Sequence, residues 1–486
     1  MKSIFFIISL CIICFCFTSF AQESAVEVSL DTVMHLALTN SLDIQIAKYD
    51  TYIKRVDLSA AESIFDTLLN LEASYLKDKA PPSSTVSSTK KIEKTYLASL
   101  TKKMPTGTTL TLSGGDFRSD SDSGASLMNP YHKSFAGISL GQSLGKNFFG
   151  LADRALIKIT KIDIENAVYS SLDDIEYILY QVQVAYWNLA LKQEELKVKR
   201  SMLGEARRLH RIYKDKYQIG TAESTALFAM AANEKIREAE VLTARLEEEK
   251  AKNDLLCLLN EGNMSIKLKT ADPLAMEPQN YDFYESLKVA IASRRDYRRV
   301  SNALRANGVD LKVKRNALWP EIDLEASFTK NGLSRKFSDA ISQVPNQDNP
   351  QIYFGIKLQI PLENNLAKSD LRKTQLQNEQ LLLSLKQTER LILKGIANEV
   401  KEVNTASSQL ELAEAVVQLQ QSKLDMELKS LGYGRSSSDL IIRYQDDLLL
   451  AKLSHAYAFF QYRIAQINLQ LAKNTLLKQY WSEDQL

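Results

Sequence analysis

Two stretches constrain the fold more than anything else in the sequence. From Leu151 to Ile219, and again from Leu366 to Leu431, there is no proline, and Leu, Ile, Val and Ala return at steps of three and four. At 1.5 Å per residue each stretch makes a helix about 100 Å long. A helix of that length outreaches any core its own chain could wrap around it, so it belongs to a coiled coil or to the parallel staves of a larger tube. The scarcity of breakers agrees: 17 Gly and 10 Pro in 486 residues fit long regular elements better than a loop-rich enzyme.

The chain also repeats itself. A shift of 253 positions brings Val56-Asp57-Leu58 onto Val309-Asp310-Leu311, and Leu71-Glu72-Ala73-Ser74-Tyr75 onto Leu324-Glu325-Ala326-Ser327-Phe328, in one register. Gly137-Ile138-Ser139-Leu140 and Gly355-Ile356-Lys357-Leu358 form a second pair, each just before a long helical pattern. Each half reads helix, strand, polar loop, strand, very long helix, tight break, helix, which is an internal duplication. The first repeat is expected over 22–260, with strands over 68–144 and long helices over 151–259. The second is expected over 284–474, with strands over 321–362 and long helices over 366–474. A connector, 261–283, lies between them, and a short tail, 475–486, follows.

Lys2 precedes an apolar run from Ile4 to Phe17, and Ser19-Phe20-Ala21 ends it with small residues, so 1–21 read as a removable export signal. Cys11, Cys14 and Cys16 leave with it. Only Cys257 remains, expected on an apolar helix face beside Leu255, Leu256 and Leu258, and no intramolecular disulfide can form. Lys+Arg 61 against Asp+Glu 59 is a balanced charge that excludes a nucleic-acid-type basic surface. Beyond the signal no stretch reaches the roughly 20 apolar residues of a spanning helix, so a membrane crossing requires strands.

Suitable strands are present. From Glu321 to Thr329, Ile322, Leu324, Ala326 and Phe328 alternate with Glu321, Asp323, Glu325, Ser327 and Thr329. From Ile352 to Leu362, apolar residues alternate with Tyr353, Gly355, Lys357, Gln359 and Pro361, and from Ser134 to Leu144, Ala136, Ile138 and Leu140 oppose Gly137, Ser139 and Gly141. These runs are close to the 9–11 residues of a tilted spanning strand. Glu321, Asp323, Glu325, Lys357 and Gln359 are the candidate lining of a wet lumen. Lipid leaves no sheet edge unpaired, and the smallest common barrels have about eight strands. One chain supplies too few, so closure implies several identical subunits sharing one barrel.

Over nearly the whole mature chain this order resembles the TolC-type outer-membrane efflux proteins. Leu30 to Ser41 looks like that family's first helix, Leu318-Trp319-Pro320 like its helix-to-strand junction, and Gln359-Ile360-Pro361-Leu362 like its strand-to-helix junction. The sequence departs from the pattern at Ser143, where the family often has proline. It departs again at a hairpin, Lys94 to Lys103 and Gly107 to Phe117, that either adds strands to the barrel or projects beyond it. The resemblance implies an α+β, mainly α fold, with long coiled-coil-like helices forming an α-barrel joined to a transmembrane β-barrel shared between subunits. It implies a homotrimer with twelve strands, four from each chain, in the outer membrane with a large periplasmic portion. It further implies two partners, a periplasmic adaptor and an inner-membrane transporter.

In that family the turns joining the long helices form the periplasmic gate and adaptor-docking tip. The matching positions are Tyr217, Gly220, Thr221 and Glu223 in one turn, and Leu431, Gly434, Arg435, Ser436, Asp439 and Arg443 in the other. Gly220 and Gly434 suit helix reversal, which favours a residue free to take positive φ. No catalytic constellation emerges. Asp116, Asp120, Asp122 and Gly124 lack the distal glutamate of a calcium loop, the four His are scattered, and there is no phosphate loop or nucleophile elbow. The expectation is a passive trans-periplasmic duct for a multi-component efflux pump or type I export system, without cofactor. The alternative that long helices alone allow is a periplasmic coiled-coil adaptor or scaffold.

Overall fold

A computed structural model describes residues 26–81, 88–122, 127–273, 279–433 and 435–481; the expected export signal and Gly434 lie outside the described residues. The first half runs β1 (Val26–Val28), α1 (Leu30–Asn40), α2 (Leu42–Glu62), β2 (Thr67–Asp78), β3 (Lys91–Lys103), β4 (Thr108–Ser121), β5 (Tyr131–Ser143), α3 (Leu151–Gln218) and α4 (Ser224–Leu258). The second runs β6 (Leu268–Thr270), α5 (Phe283–Ser293), α6 (Arg295–Asn316), β7 (Glu321–Ser334), α7 (Phe337–Asn346), β8 (Pro350–Gln359), α8 (Asn365–Gly432) and α9 (Ser438–Ala472).

The duplication is written in the element boundaries. From Leu30 to Phe283 and from Leu42 to Arg295 is 253 residues in each case, and α5 and α6 begin where that register places them. Matching caps begin the paired helices: Ser29 accepts from the Thr32 N–H at 3.3 Å, and Asp282 from the Glu285 N–H at 2.9 Å. From Leu151 to Asn365 and from Ser224 to Ser438 the offset is only 214 residues. The difference, 39 residues, is extra chain in the first half between α2 and α3, and it corresponds to the hairpin β3–β4.

The chain divides into two compact units. One contains, of the described residues, those from 26 to Leu42 and those within Leu179–Asn280 and Glu402–Ile467. Here the C-terminal part of α3, α4, the C-terminal part of α8 and α9 pack along apolar seams. Val198 and Met202 of α3 meet Leu424 of α8 and Leu448 and Leu449 of α9. Nearer the turns, Leu209 and Tyr213 meet Met230 of α4 and Ile441 of α9. Elsewhere in this unit β1 and β6 pair in parallel, clamped by the buried Tyr186. The Tyr186 hydroxyl lies 2.5 Å from the Asp272 carboxylate, which also accepts the Leu30 N–H at 2.7 Å. Burial first, and the bond to Asp272 next, hold this phenol well above its ordinary range.

The other unit contains Asp43–Ile178, Tyr281–Lys401 and Asn468–Leu486. Its centre is one sheet in the order β2-β3-β4-β5-β7-β8, antiparallel throughout. Helix α2 joins α3 where the Thr51 hydroxyl meets that of Ser171 at 2.8 Å, and Ser171 donates to the Ala47 carbonyl at 2.6 Å. On another face of α2, Ile46, Tyr49, Ile53 and Val56 recur at heptad spacing and stay 61–66% exposed.

Four expectations need correction. The sheet has six strands, not the four per chain that the resemblance implies, because β3 and β4 are built into its middle. The loop between β7 and β8 is not merely polar: it carries the amphipathic helix α7. Strand β8 stops at Gln359, short of Pro361, which has no N–H to give a ladder. Cys257 is exposed, since the buried face of α4 passes through Leu255 and Leu256 instead.

Candidate functional site

Register separates the sheet into two chemically unlike faces. Leu69, Leu100, Leu112, Ile138, Phe328 and Ile352 stand side by side across all six strands. The neighbouring row, Asn70, Ser99, Ser113, Gly137, Thr329 and Gln351, points the other way. The apolar face continues through Leu71, Ala98, Leu110, Leu140, Ala326, Phe354, Ile356 and Leu358. Exposure alternates in step: Tyr96, Ala98, Leu100 and Lys102 are open while Leu97, Ser99, Thr101 and Lys103 are half-covered. A sheet curling toward its polar face gives that alternation. Among the described residues both edge strands, β2 and β8, keep one side of their backbone unpaired.

The candidate lumen residues all fall on the polar face. Asp323 lies between Ser143, whose hydroxyl donates to its carboxylate at 2.9 Å, and Lys357, its partner across the β7–β8 ladder. Glu321 stands opposite Gln359 and Glu325 opposite Gly355. Tyr353 joins this face opposite Ser327, so of the two aromatics near strand ends only Trp319 lies outside the strands, 60% exposed. The face mixes acid, base and hydroxyl.

Helix α7 lies against the apolar face at the loop end of β5 and β7. A Cβ on Gly332 would meet the Ala340 carbonyl oxygen at 2.0 Å, and the Phe337 ring sits 5.9 Å from that of His132. Beneath it the Asp116 carboxylate accepts from the Ser134 hydroxyl at 2.7 Å and meets His132 Nδ1 at 2.7 Å. Asp120 instead approaches Arg118 at 3.4 Å, and Asp122 accepts the Lys90 N–H at 2.9 Å. Asp116 and Asp120 thus belong to β4 and Asp122 follows it, and the three carboxylates address separate partners and do not converge.

The structure brings the two helix-joining turns together over one apolar cluster, in which Leu209, Tyr213, Met230 and Ile441 are joined by Ala222, Leu428 and Leu431. In the first turn, Gly220 takes φ +76° and its N–H bonds the Tyr217 carbonyl at 3.0 Å, while the Thr221 N–H reaches the Lys216 carbonyl at 2.8 Å. This is a Schellman stop, and it explains why glycine ends α3 there. Glu223 then precedes α4 in extended conformation. In the second turn, the Arg435 N–H closes onto the Ser430 carbonyl at 3.0 Å, and Ser437 begins α9 by accepting the Leu440 N–H on its hydroxyl at 3.4 Å. Tyr217, Arg435, Asp439 and Arg443 are exposed, and Ser436 is half-buried. Sequence reading missed Tyr213, whose phenol is raised above its ordinary value by burial and then by the charge of Asp439.

No helix among the described residues is long and apolar enough to cross a membrane. No protein-family model and no curated protein sequence matches the chain. Solved structures do. The outer membrane protein VceC of Vibrio cholerae is 14% identical, with 91% of this chain and 95% of that chain covered and a TM-score of 0.66. The CmeC outer membrane channel of Campylobacter jejuni is 15% identical over 94% of this chain and 88% of its own, again with a TM-score of 0.66. The open state of the Neisseria gonorrhoeae MtrE outer membrane channel is 14% identical, covering 96% and 95%, at the same TM-score of 0.66. The chain therefore shares the fold of these outer-membrane channels, the fold to which the sequence resemblance pointed.

Proposed function

We propose that the chain, after loss of residues 1–21, is one subunit of a passive duct across the outer membrane and into the periplasm, serving an efflux pump or a type I export system. The observation that carries this reading is a sheet with an apolar band across all six strands of one face, giving way to Asp116, His132 and Ser134 only where α7 covers it, and with two edges unpaired among the described residues. In water such a sheet is an aggregation hazard; in lipid it is a wall segment that other copies must complete. The open heptad stripe of α2, and Leu412, Val416, Leu419 and Met426 along α8, give neighbouring copies apolar helix faces to cover. Three copies are the number we favour, by likeness of fold. A coiled-coil scaffold has no use for the sheet.

The chain carries no catalytic step in this reading. Transport is driven by an inner-membrane transporter through a periplasmic adaptor, and the helical turns are the docking and gating end. Arg435, Asp439 and Arg443, drawn together around the axis of an assembly, would latch that end by charge pairs and hydrogen bonds, released when an adaptor binds the open form better. The reading is tested by cell fractionation. The protein should sediment with the outer membrane and shift its gel mobility on boiling; a protein recovered from the periplasm as a water-soluble species of constant mobility would overturn it.

A further inference from the structure

We propose that the extra hairpin β3–β4 is part of the membrane wall, so that each copy supplies six strands and three copies close an eighteen-stranded barrel with a bore wide enough for bulky solutes. The inference rests on the duct reading above. The hairpin is the 39-residue excess of the first half, yet it is not an appendage. It is bonded on both sides along its length, β2 to β3 from Thr67–Lys102 to Asp78–Lys91 and β4 to β5 from Thr108–Gln142 to Ser119–Tyr131. Its own side chains carry the two-faced pattern: Tyr96, Ala98, Leu100, Leu110 and Leu112 on the apolar side, which on β4 ends at Asp116 beneath α7, and Ser99, Thr101, Thr111 and Ser113 on the polar side, interrupted by Leu97. On β3 the apolar side is bounded by Lys94 and Lys102, about 27 Å apart along the strand, or about 21 Å along the membrane normal at a tilt of about 40°. With lysines reaching outward, that matches an apolar band of about 25 Å.

Its turn is fastened to the start of α3. Gly107 takes φ +74°, and a Cβ there would lie 2.4 Å from the Gly150 nitrogen. Arg154 donates to the Pro105 carbonyl at 2.7 Å, and Lys103 pairs with Asp153 at 2.8 Å. The hairpin thus returns to the same strand-to-helix junction as β5, as a wall strand must. Six is also an even number: β2 and β8 run in opposite directions, so β8 of one copy can pair antiparallel with β2 of the next.

The consequence is geometric. Strands about 4.8 Å apart and tilted by about 40° close at a backbone radius of about 12 Å for twelve strands and about 18 Å for eighteen. Once inward side chains are allowed for, the open cross-section rises about threefold. Helix α7 lies on the apolar side of the sheet, away from the polar face that would line the bore. Passage at the membrane is then unselective for solutes up to roughly 20 Å across, a class that includes extended polypeptide, and restriction falls to the helical end.

Single cysteines in a Cys257→Ser background, in assembled protein in lipid vesicles, test this. Ser99→Cys and Ser113→Cys should react with a charged, membrane-impermeant thiol reagent at least about tenfold faster than Leu100→Cys and Leu112→Cys, whose fluorescent adducts should be quenched by nitroxide on lipid acyl chains. Ser139→Cys and Ile138→Cys on β5 are the reference pair. Equal reaction and no quenching at the four hairpin sites, with the β5 pair behaving as described, overturns the six-strand wall and leaves the duct reading standing. Failure of the β5 pair as well overturns both.

Discussion

Arg295 heads the fully buried side chains by size, and it sits in a cluster that the chain assembles from far apart. Its guanidinium donates to Glu176 at 2.5 Å and to Asp173 at 3.1 Å. Glu176, itself 0% exposed, also accepts from Asn474 at 2.8 Å and from the Leu477 N–H at 3.2 Å. Without Glu176, the buried Arg295 keeps only Asp173, Asn474 keeps only its longer 3.4 Å bond to Asp173, and the Leu477 N–H loses its acceptor, so Glu176→Ala should lower stability by about 3 kcal/mol. The double change Arg295→Met with Glu176→Leu, which removes both charges, should recover most of that loss. Thermal unfolding in detergent checks both variants. Nothing in the sequence announced this cluster, because Arg295 meets Glu176 across 119 residues and Glu176 meets Asn474 across 298. Pairings at such separation leave no local pattern. Cys257 is exposed for a related reason: a run of leucines around it does not make one apolar face, because adjacent helix positions point about 100° apart.

At the scale of elements, what was legible is what repeats. The proline-free runs became α3 and α8, 68 residues each, because a 3.6-residue period sustained over many turns admits no other element. Strict alternation from Glu321 became β7, and the hairpin around Met104 to Gly107 was visible from its turn residues. Short elements were not. The three-residue pair β1–β6 carries no periodicity, and α7 hid in a loop whose Ser, Gln and Asn read as polar. The two-faced sheet makes a direct prediction. Phe354 and Tyr353 are neighbours on β8 but point to opposite faces. Phe354→Arg should cost about 2–4 kcal/mol of stability in lipid, whereas Tyr353→Arg should cost about 1 kcal/mol or less. Urea titration of protein refolded into vesicles would separate them, and equal costs would contradict the assignment of faces.

For the whole molecule, fold class and duplication were open to a reader of the sequence, whereas the strand count was not. A hairpin standing in a wall and one projecting from it carry the same alternation; only hydrogen bonds to β2 and β5 separate the two. The candidate gate follows a similar logic. The exposed Arg435, Asp439 and Arg443 stand over the cluster of Leu209, Tyr213, Met230 and Ile441, which fixes both turns in one unit. If those three side chains latch the tip between copies, changing all three to Ala should raise the conductance of single channels severalfold without changing their number per unit protein. An unchanged conductance would remove them from the gate.

The central claim is that copies of this chain complete one another's sheet around a water-filled bore. Conductance across a planar lipid bilayer tests it most directly, with purified protein lacking residues 1–21 added to one side. Discrete, uniform steps that scale with salt concentration are predicted. A bilayer that stays silent with protein shown to be folded and inserted, or leakage without a unitary step, would contradict the account.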